Sequence, residues 1–390
     1  MKNFTLILML TAPLMTASSL SYAKQVPPNG LSEQPAIGTV SDTKRDIALE
    51  LSRQYSHISS VLQSTINQYN LTIDAQQAFQ LSGIDDRKLQ DAELTIRAAK
   101  GLNIQNNNQL GERSNTEANL LQFRLADVSM LSDWQRGEAP LFAFEPDGND
   151  TQWAHVEAYD LDGKIHLLDV YELPQRPVFV IGLDKQKMNQ EGLAVMRNIL
   201  TSGISLVPPQ PHALSNQTIS TTVIKQISME DDQEPWVSGK AEIYAIVTGV
   251  NPSRMAPVLD VVDMPYLDYS DTQYFPNQII IHWERYRWDA ADLILMEHDD
   301  GTNYKELASA LLLAAEQILK AIPNPDVQGY AIIATITNGL LSVMPDGWFT
   351  NDDDFVDVYY TLQEGDNYIH HSGAGANVKA TFEPLMINQR

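Results

Sequence analysis

The spacing of hydrophobic positions changes along the chain, and each change marks a segment. Ile47, Leu49, Leu51, Tyr55, Ile58, Val61, Leu62 and Ile66 recur mostly every third or fourth residue, with Ser41-Asp42 placed to cap them. That spacing predicts an amphipathic helix to about Tyr69. Further helices are predicted from Asp74 to about Leu81, from Asp85 to Ala99, and around Thr116–Phe123. The amide run Gln105–Asn108 breaks the pattern. Residues 24–40, rich in Pro, Gly and Ser, read as a flexible leader, so residues 24–135 form a helical segment.

Between residues 136 and 206 the apolar runs shorten to strand length. Pro140–Glu145, Trp153–Tyr159, Ile165–Tyr171 and Val178–Leu183 read as strands, followed by a helix from Asn189 to Leu200. Asp160-Leu-Asp-Gly163 is a hairpin signal, because Asp-Gly tolerates the positive φ of a tight turn. It lacks the spaced ligand positions of an EF-hand loop, so the turn reading is preferred. This is a small α+β unit. Residues 207–235 read as a linker and strand: the prolines of Val207–His212 stiffen it, Ser220–Ser228 is extended, and Met229–Pro235 is an acidic junction.

Residues 236–390 carry the strongest pattern. Ala241–Thr248, Gln278–Trp283, Asp292–Glu297, Phe355–Leu362 and Val378–Phe382 read as strands separated by turn residues, an antiparallel β-sandwich. A helical hairpin, residues 303–344, interrupts them. Asn303 and Glu306 make a capping box at its start, and Pro323 and Pro345 stop its two helices. The fold class is therefore α+β: an N-terminal helical segment, a small α+β middle unit, and a C-terminal sandwich with an inserted helical hairpin.

Charge sharpens this division. Residues 236–390 hold 22 Asp and Glu against 8 Lys and Arg, while residues 24–135 hold 13 against 10. With a formal net charge of −24 and no basic stripe, the chain repels nucleic acid and anionic lipid. Asp299 and Asp300 leave one predicted strand, and Asp352, Asp353 and Asp354 enter another. If those strands are antiparallel neighbours, the carboxylates meet at one edge. Each like-charge pair 4 Å apart then repels by roughly 1–4 kcal/mol. A bound Ca²⁺, which takes six to eight oxygens, removes that cost. Asp260 and Asp263 can add ligands from a third loop. These seven aspartates are the candidate metal residues, weighed against solvated loop acids and caps. The arrangement resembles the way C2-type sandwiches gather loop aspartates around calcium.

His282-Trp-Glu-Arg-Tyr-Arg-Trp288 reads as a strand with His282, Glu284, Tyr286 and Trp288 on one face. Packing and pairing of the arginines with carboxylates is favoured there over a sugar- or anion-binding face. No His-Glu-x-x-His or Gly-x-Ser-x-Gly motif occurs, and the chain has no Cys. Ser372-Gly-Ala-Gly-Ala-Asn377 lacks the third spaced glycine of a dinucleotide loop. Val327–Met344 is uncharged, but its Gln328, Thr335, Thr337 and Asn338 favour burial against the sandwich over membrane insertion.

Met1-Lys2-Asn3, the apolar run Phe4–Leu14 and the small residues ending at Ala23 have the layout of a secretory signal peptide, residues 1–23. Location is then secreted or periplasmic, with no stable membrane span in the mature chain. Glu242-Ile-Tyr-Ala-Ile-Val-Thr-Gly, Met264-Pro-Tyr-Leu-Asp-Tyr, Glu297-His-Asp-Asp-Gly-Thr-Asn-Tyr and Trp348-Phe-Thr-Asn-Asp-Asp-Asp resemble an uncharacterised family of exported bacterial proteins. That resemblance implies export and a recurring architecture, and supplies no catalytic residues. The expected function is a calcium-stabilised binding or surface-interaction protein with an extracellular ligand or surface as partner. A secreted hydrolase using a carboxylate or His/carboxylate site, and a membrane-active protein using the 303–344 hairpin, stand as alternatives.

Overall fold

A computed structural model describes residues 39–102, 119–146, 153–202, 218–231, 234–253, 256–298, 301–323, 328–343 and 355–388. The expected signal peptide, most of the leader, the amide run, the proline linker and the acidic tips Asp299–Asp300 and Asp352–Asp354 lie outside these residues.

Helix α1 (Val40–Thr65) starts at Thr39, whose hydroxyl accepts from the Asp42 N–H, and buries Ile47, Leu51, Ile58 and Leu62. Strand β1 (Thr72–Asp74) leads into α2 (Ala75–Ser82), which Asp74 caps, and then α3 (Arg87–Ala99). The region expected to be helical around Thr116–Phe123 instead enters strand β2 (Leu121–Leu125). The reason is local: Leu121, Phe123 and Leu125 are buried while Gln122 and Arg124 alternate with them, a period of two. A short helix, α4 (Leu131–Gln135), follows.

Strands β3 (Leu141–Phe144), β4 (His155–Tyr159), β5 (Ile165–Asp169) and β6 (Val178–Leu183) complete a six-stranded sheet of order β1-β2-β6-β3-β4-β5. Only β3 and β6 run parallel. The segment expected to be helical thus also supplies two strands to the middle sheet. The Asp160–Gly163 turn joins β4 to β5, with Gly163 at φ 77°. Helix α5 (Lys185–Ser202) follows β6.

The C-terminal part is two four-stranded antiparallel sheets. One has the order β10 (Gln278–His282), β7 (Thr218–Met229), β14 (Val378–Asn388), β13 (Tyr368–Ser372). The other has the order β12 (Phe355–Gln363), β11 (Ala290–Glu297), β8 (Ile243–Val250), β9 (Pro257–Asp263). Strand β7, which precedes the acidic junction, is central to the first sheet.

Every residue of β8 and β11 is buried. Alternate side chains explain why. Ile243, Ala245, Val247, Leu293 and Leu295 enter the core between the two sheets. Tyr244, Ile246, Ile294 and Met296 enter a second core shared with α1, the middle sheet and α5. Helices α6 (Tyr304–Ala321) and α7 (Ala331–Val343) contribute Leu311, Ala315, Ile332, Ile336 and Leu340 to that second core. The inserted hairpin therefore lies on a sheet face, and its uncharged second helix is a buried element. Among the described residues, no helix is long and apolar enough to cross a membrane.

The stretch after β10 departs from the strand expected through Trp288. Two 3-10 turns span Trp283–Arg285 and Arg287–Asp289, and Trp288 and Asp289 take φ of 63° and 50°. Alternation stops because Tyr286 is buried against Gly249, where a Cβ would lie 2.5 Å from its ring. Arg285 pairs with Asp260 at 2.6 Å, and the Arg287 guanidinium lies 4.3 Å from the Trp288 ring centre.

The glycine-rich turn after β13 also has a structural task. Asp357, fully buried on β12, accepts from the N–H groups of Val358, Gly375 and Val378, each at 2.7 Å. A Cβ on Gly373 would sit 2.2 Å from the Asp357 carboxyl carbon, so only glycine lets the turn close over it. Asp357→Ala would leave buried donors unsatisfied, and bonds to charged groups contribute about 1.5–3 kcal/mol each. Loss of about 3 kcal/mol or more in urea unfolding is expected. A loss below about 1 kcal/mol would mean that water replaces the carboxylate there.

Candidate functional site

Strand register builds the site. Across the β12-β11-β8-β9 sheet, Phe355 lies opposite Met296, Met296 opposite Tyr244, and Tyr244 opposite Asp263. The end of β11, the start of β12, the start of β8 and the end of β9 therefore share one edge. Asp299–Asp300 follow β11 by two residues, and Asp352–Asp354 directly precede β12. Their flanking described residues, Glu297–His298 and Phe355, stand at this edge.

Asp263 stands there as well. One of its carboxylate oxygens is buried without a hydrogen-bond partner, and burial raises its pKa despite the nearby Arg197. Asp260 does not share the edge. It lies opposite Val247, three residues or roughly 10 Å along the strand. Its carboxylate is already engaged by Arg285 at 2.6 Å and by the Tyr286 hydroxyl, which donates at 2.5 Å. Burial nevertheless raises the Asp260 pKa. Among the described residues, no group of three or more His, Asp and Glu has an arrangement able to hold a metal ion.

The same edge carries a cluster of acids that sequence reading did not single out. Glu242 enters β8, Glu297 ends β11, and Glu234 comes from the junction before β8. Lys185, the first residue of α5, reaches Glu242 at 2.8 Å and Glu234 at 3.4 Å. Lys185 also donates to the Lys240 carbonyl at 3.3 Å. Glu297 is 8 % exposed and faces Glu234. Burial first, and the Glu234 charge second, push the Glu297 pKa well above the carboxylate range. Two ionised carboxylates have no proton to share. The Glu297–Glu234 contact becomes a hydrogen bond only when one of them is protonated.

His298 closes this edge from the α6 side. Its backbone N–H donates to the Glu242 carbonyl at 3.0 Å, and its ring stacks on Tyr304 with centres 4.5 Å apart. The Tyr304 hydroxyl donates to the Asn189 side chain at 3.1 Å. Gly192 makes room for that ring, since a Cβ there would lie 2.1 Å from it. With 2 % of its surface exposed, His298 packs the seam between α5, α6 and β11. Arg124, on β2, ties the other side down by donating to the carbonyls of Trp236 at 3.3 Å and Val237 at 2.6 Å.

The missed residues left one faint signal. Glu242 and Glu297 each stand next to an apolar run, the position of an end residue on a buried element, and Lys185 stands two residues after one. Nothing in their spacing links Lys185 to acids 49 and more residues away.

A family profile described as Protein of unknown function (DUF3103) matches residues 44–390, and the chain belongs to that family. No curated protein matches the chain, and neither does any solved structure.

The edge makes stability depend on pH with a definite sign. An acid whose folded pKa is raised keeps its proton in the folded state after the unfolded chain has lost it. Its contribution is complete below the ordinary carboxylate pKa and disappears as pH rises through the folded value. Glu297, Asp263, Asp260 and the fully buried Asp292 all shift upward. Thermal stability should therefore decline from about pH 5 toward pH 8. Glu297→Gln, which keeps a donor toward Glu234, should flatten that decline. An unchanged slope in this variant would remove Glu297 as its source.

Proposed function

We propose that this DUF3103 protein is an exported, calcium-stabilised binding or surface-interaction protein, with the cation held at the acidic edge of the β12-β11-β8-β9 sheet. One observation carries the reading: the antiparallel pairing of β11 with β12, Met296 opposite Phe355, which brings the flanks of the two aspartate runs to one edge. The crowding of acids already present there supports it. Lys185 serves two glutamates, and Glu297 relies on a proton. Five further aspartates in the adjoining positions need another counter-charge, and a hard divalent cation with oxygen ligands supplies it.

Asp299, Asp300, Asp352, Asp353 and Asp354 are the proposed ligand donors; Asp263, at the end of β9, stands two strands from β11, roughly 10 Å, and joins them only if the loops reach across β8. Asp260 is left to its pairing with Arg285 and Tyr286. Calcium in this role contributes no reaction chemistry. It holds two loops together in a chain without disulfides, where folding stability must come from the cores and from bound ions. The signal-peptide layout of residues 1–23 supports export, because millimolar calcium is the ordinary condition outside the cell.

The test is a thermal melt of residues 24–390 in EDTA, in millimolar calcium and in millimolar magnesium. A site filled at about 100 times its dissociation constant adds roughly 2.7 kcal/mol, which raises the midpoint by several degrees. Calcium should do this and magnesium should not. Simultaneous alanine substitution at the five aspartates should abolish the shift. Equal calcium affinity in that variant would sink the proposal.

A further inference from the structure

A cleft of about 280 Å³ opens between α2, α3 and the start of β2. Leu94 gives it exposed apolar surface above the buried Leu89 and Leu121, and Glu93 and Arg97 give it charge. That charge is consumed internally. Glu93 accepts from the N–H groups of Leu120 and Leu121 and from Arg97 Nε, at 2.9 to 3.3 Å. Arg97 also bonds both carboxylate oxygens of Glu191, at 2.5 and 3.2 Å.

Three side-chain amides complete the lining, and each is clamped from behind by a carboxylate. Gln76 and Gln90 donate to the two oxygens of Asp86, each at 3.0 Å, and Asn119 donates to Asp74 at 3.2 Å. Gln80 adds a third donor to Asp86 at 3.1 Å. Asp74 is itself held as the cap of α2. A carboxylate only accepts, so these bonds turn the NH₂ end of each amide toward it and its carbonyl oxygen away. Among the described residues, the second N–H and the side-chain carbonyl oxygen of each amide bond no other group. A donor and an acceptor on one rigid group are what a sugar hydroxyl pair matches. Preorganised polar groups around apolar contacts are also the common make-up of a small-molecule site.

We propose that this cleft binds a small neutral polyhydroxylated molecule, a mono- or disaccharide. Anions are disfavoured, because Arg97 is already paired with Glu93 and Glu191, Lys187 is paired with Asp184, and Asp74 and Asp86 stand behind the amides. An ammonium group finds carboxylates there already engaged by N–H donors. The cleft is built from elements apart from the acidic sheet edge, so this inference and the calcium reading stand or fall separately.

Isothermal titration of residues 24–390 with D-glucose, D-galactose, N-acetyl-D-glucosamine, cellobiose and chitobiose tests it. At least one should bind with a dissociation constant between about 10 μM and 1 mM. Gln90→Ala should weaken that binding roughly tenfold while leaving the melting midpoint unchanged, because Gln90 is exposed. Asp86→Ala removes both acceptor oxygens and so releases the clamp without touching the ligand, and should weaken binding by a similar factor. Absence of heat with every sugar at about 20 mM overturns the proposal. So does binding that survives both substitutions, or preferential binding of spermidine.

Discussion

Burial of the β8–β11 pair on both faces is the constraint on which the rest of this molecule depends. An antiparallel sheet ordinarily keeps one face in water, where its strands can carry polar side chains. Here one face meets the second sheet and the other meets α5, α6 and α7. Charged groups on these strands are thereby driven to the ends, where the chain leaves the two cores. Glu242 and Glu297 sit at such ends, Asp299–Asp300 follow Glu297 in the chain, and Asp352–Asp354 precede β12. The concentration of acid in the last third of the chain is in part a consequence of this geometry.

Asp292 is the exception, and its surroundings show what the exception costs. It lies inside β11 with no exposed surface, and burial raises its pKa. One oxygen accepts from the Thr361 N–H at 2.7 Å. Thr361 adopts a φ of 55°, which a β-branched residue rarely takes. Such a conformation costs about 1–3 kcal/mol and persists only where neighbours enforce it. Thr337 of α7 approaches the same carboxyl and pairs with the Thr248 hydroxyl at 2.6 Å. The helix is thus fixed over the sheet by hydroxyl contacts as well as by Ile332, Ile336 and Leu340. That explains a threonine at the buried position 337 of this uncharged helix.

Local pattern made most elements legible, and long-range pairing did not. Strands β3, β6, β8, β11 and β12 announced themselves because buried strands are short apolar runs bounded by turn residues. The Asp160–Gly163 hairpin was readable from turn chemistry, and α6 from its Asn303 cap. Strand β2 is not legible locally, because Leu120, Leu121 and Phe123 fit a helical stripe about as well as an alternation. What settles it is β6 on one side and β1 on the other, which no local window contains. Strand β9 was passed over as a source of loop aspartates, since Val-Leu-Asp-Val-Val-Asp does not alternate cleanly. The strand expected through Trp288 ended at His282 because Tyr286 turns inward onto Gly249, a contact between separate strands. As for the site, the neighbouring ends of β11 and β12 were foreseeable from chain order. The Lys185–Glu234–Glu242–Glu297 cluster was not, because it joins a helix start, a junction and two strand ends that meet only in the folded chain.

Like charges at one edge can be relieved by a basic side chain, by a proton or by a bound cation. The described part of this edge uses the first two. A lysine on a helix start is limited by the reach of one ammonium group, and Lys185 already spans two glutamates. A proton answers the third acid, but the answer weakens as pH rises, and it is available only where burial has raised the pKa. On the proposed reading a divalent cation completes the sequence, each means of neutralisation being used where the previous one is exhausted.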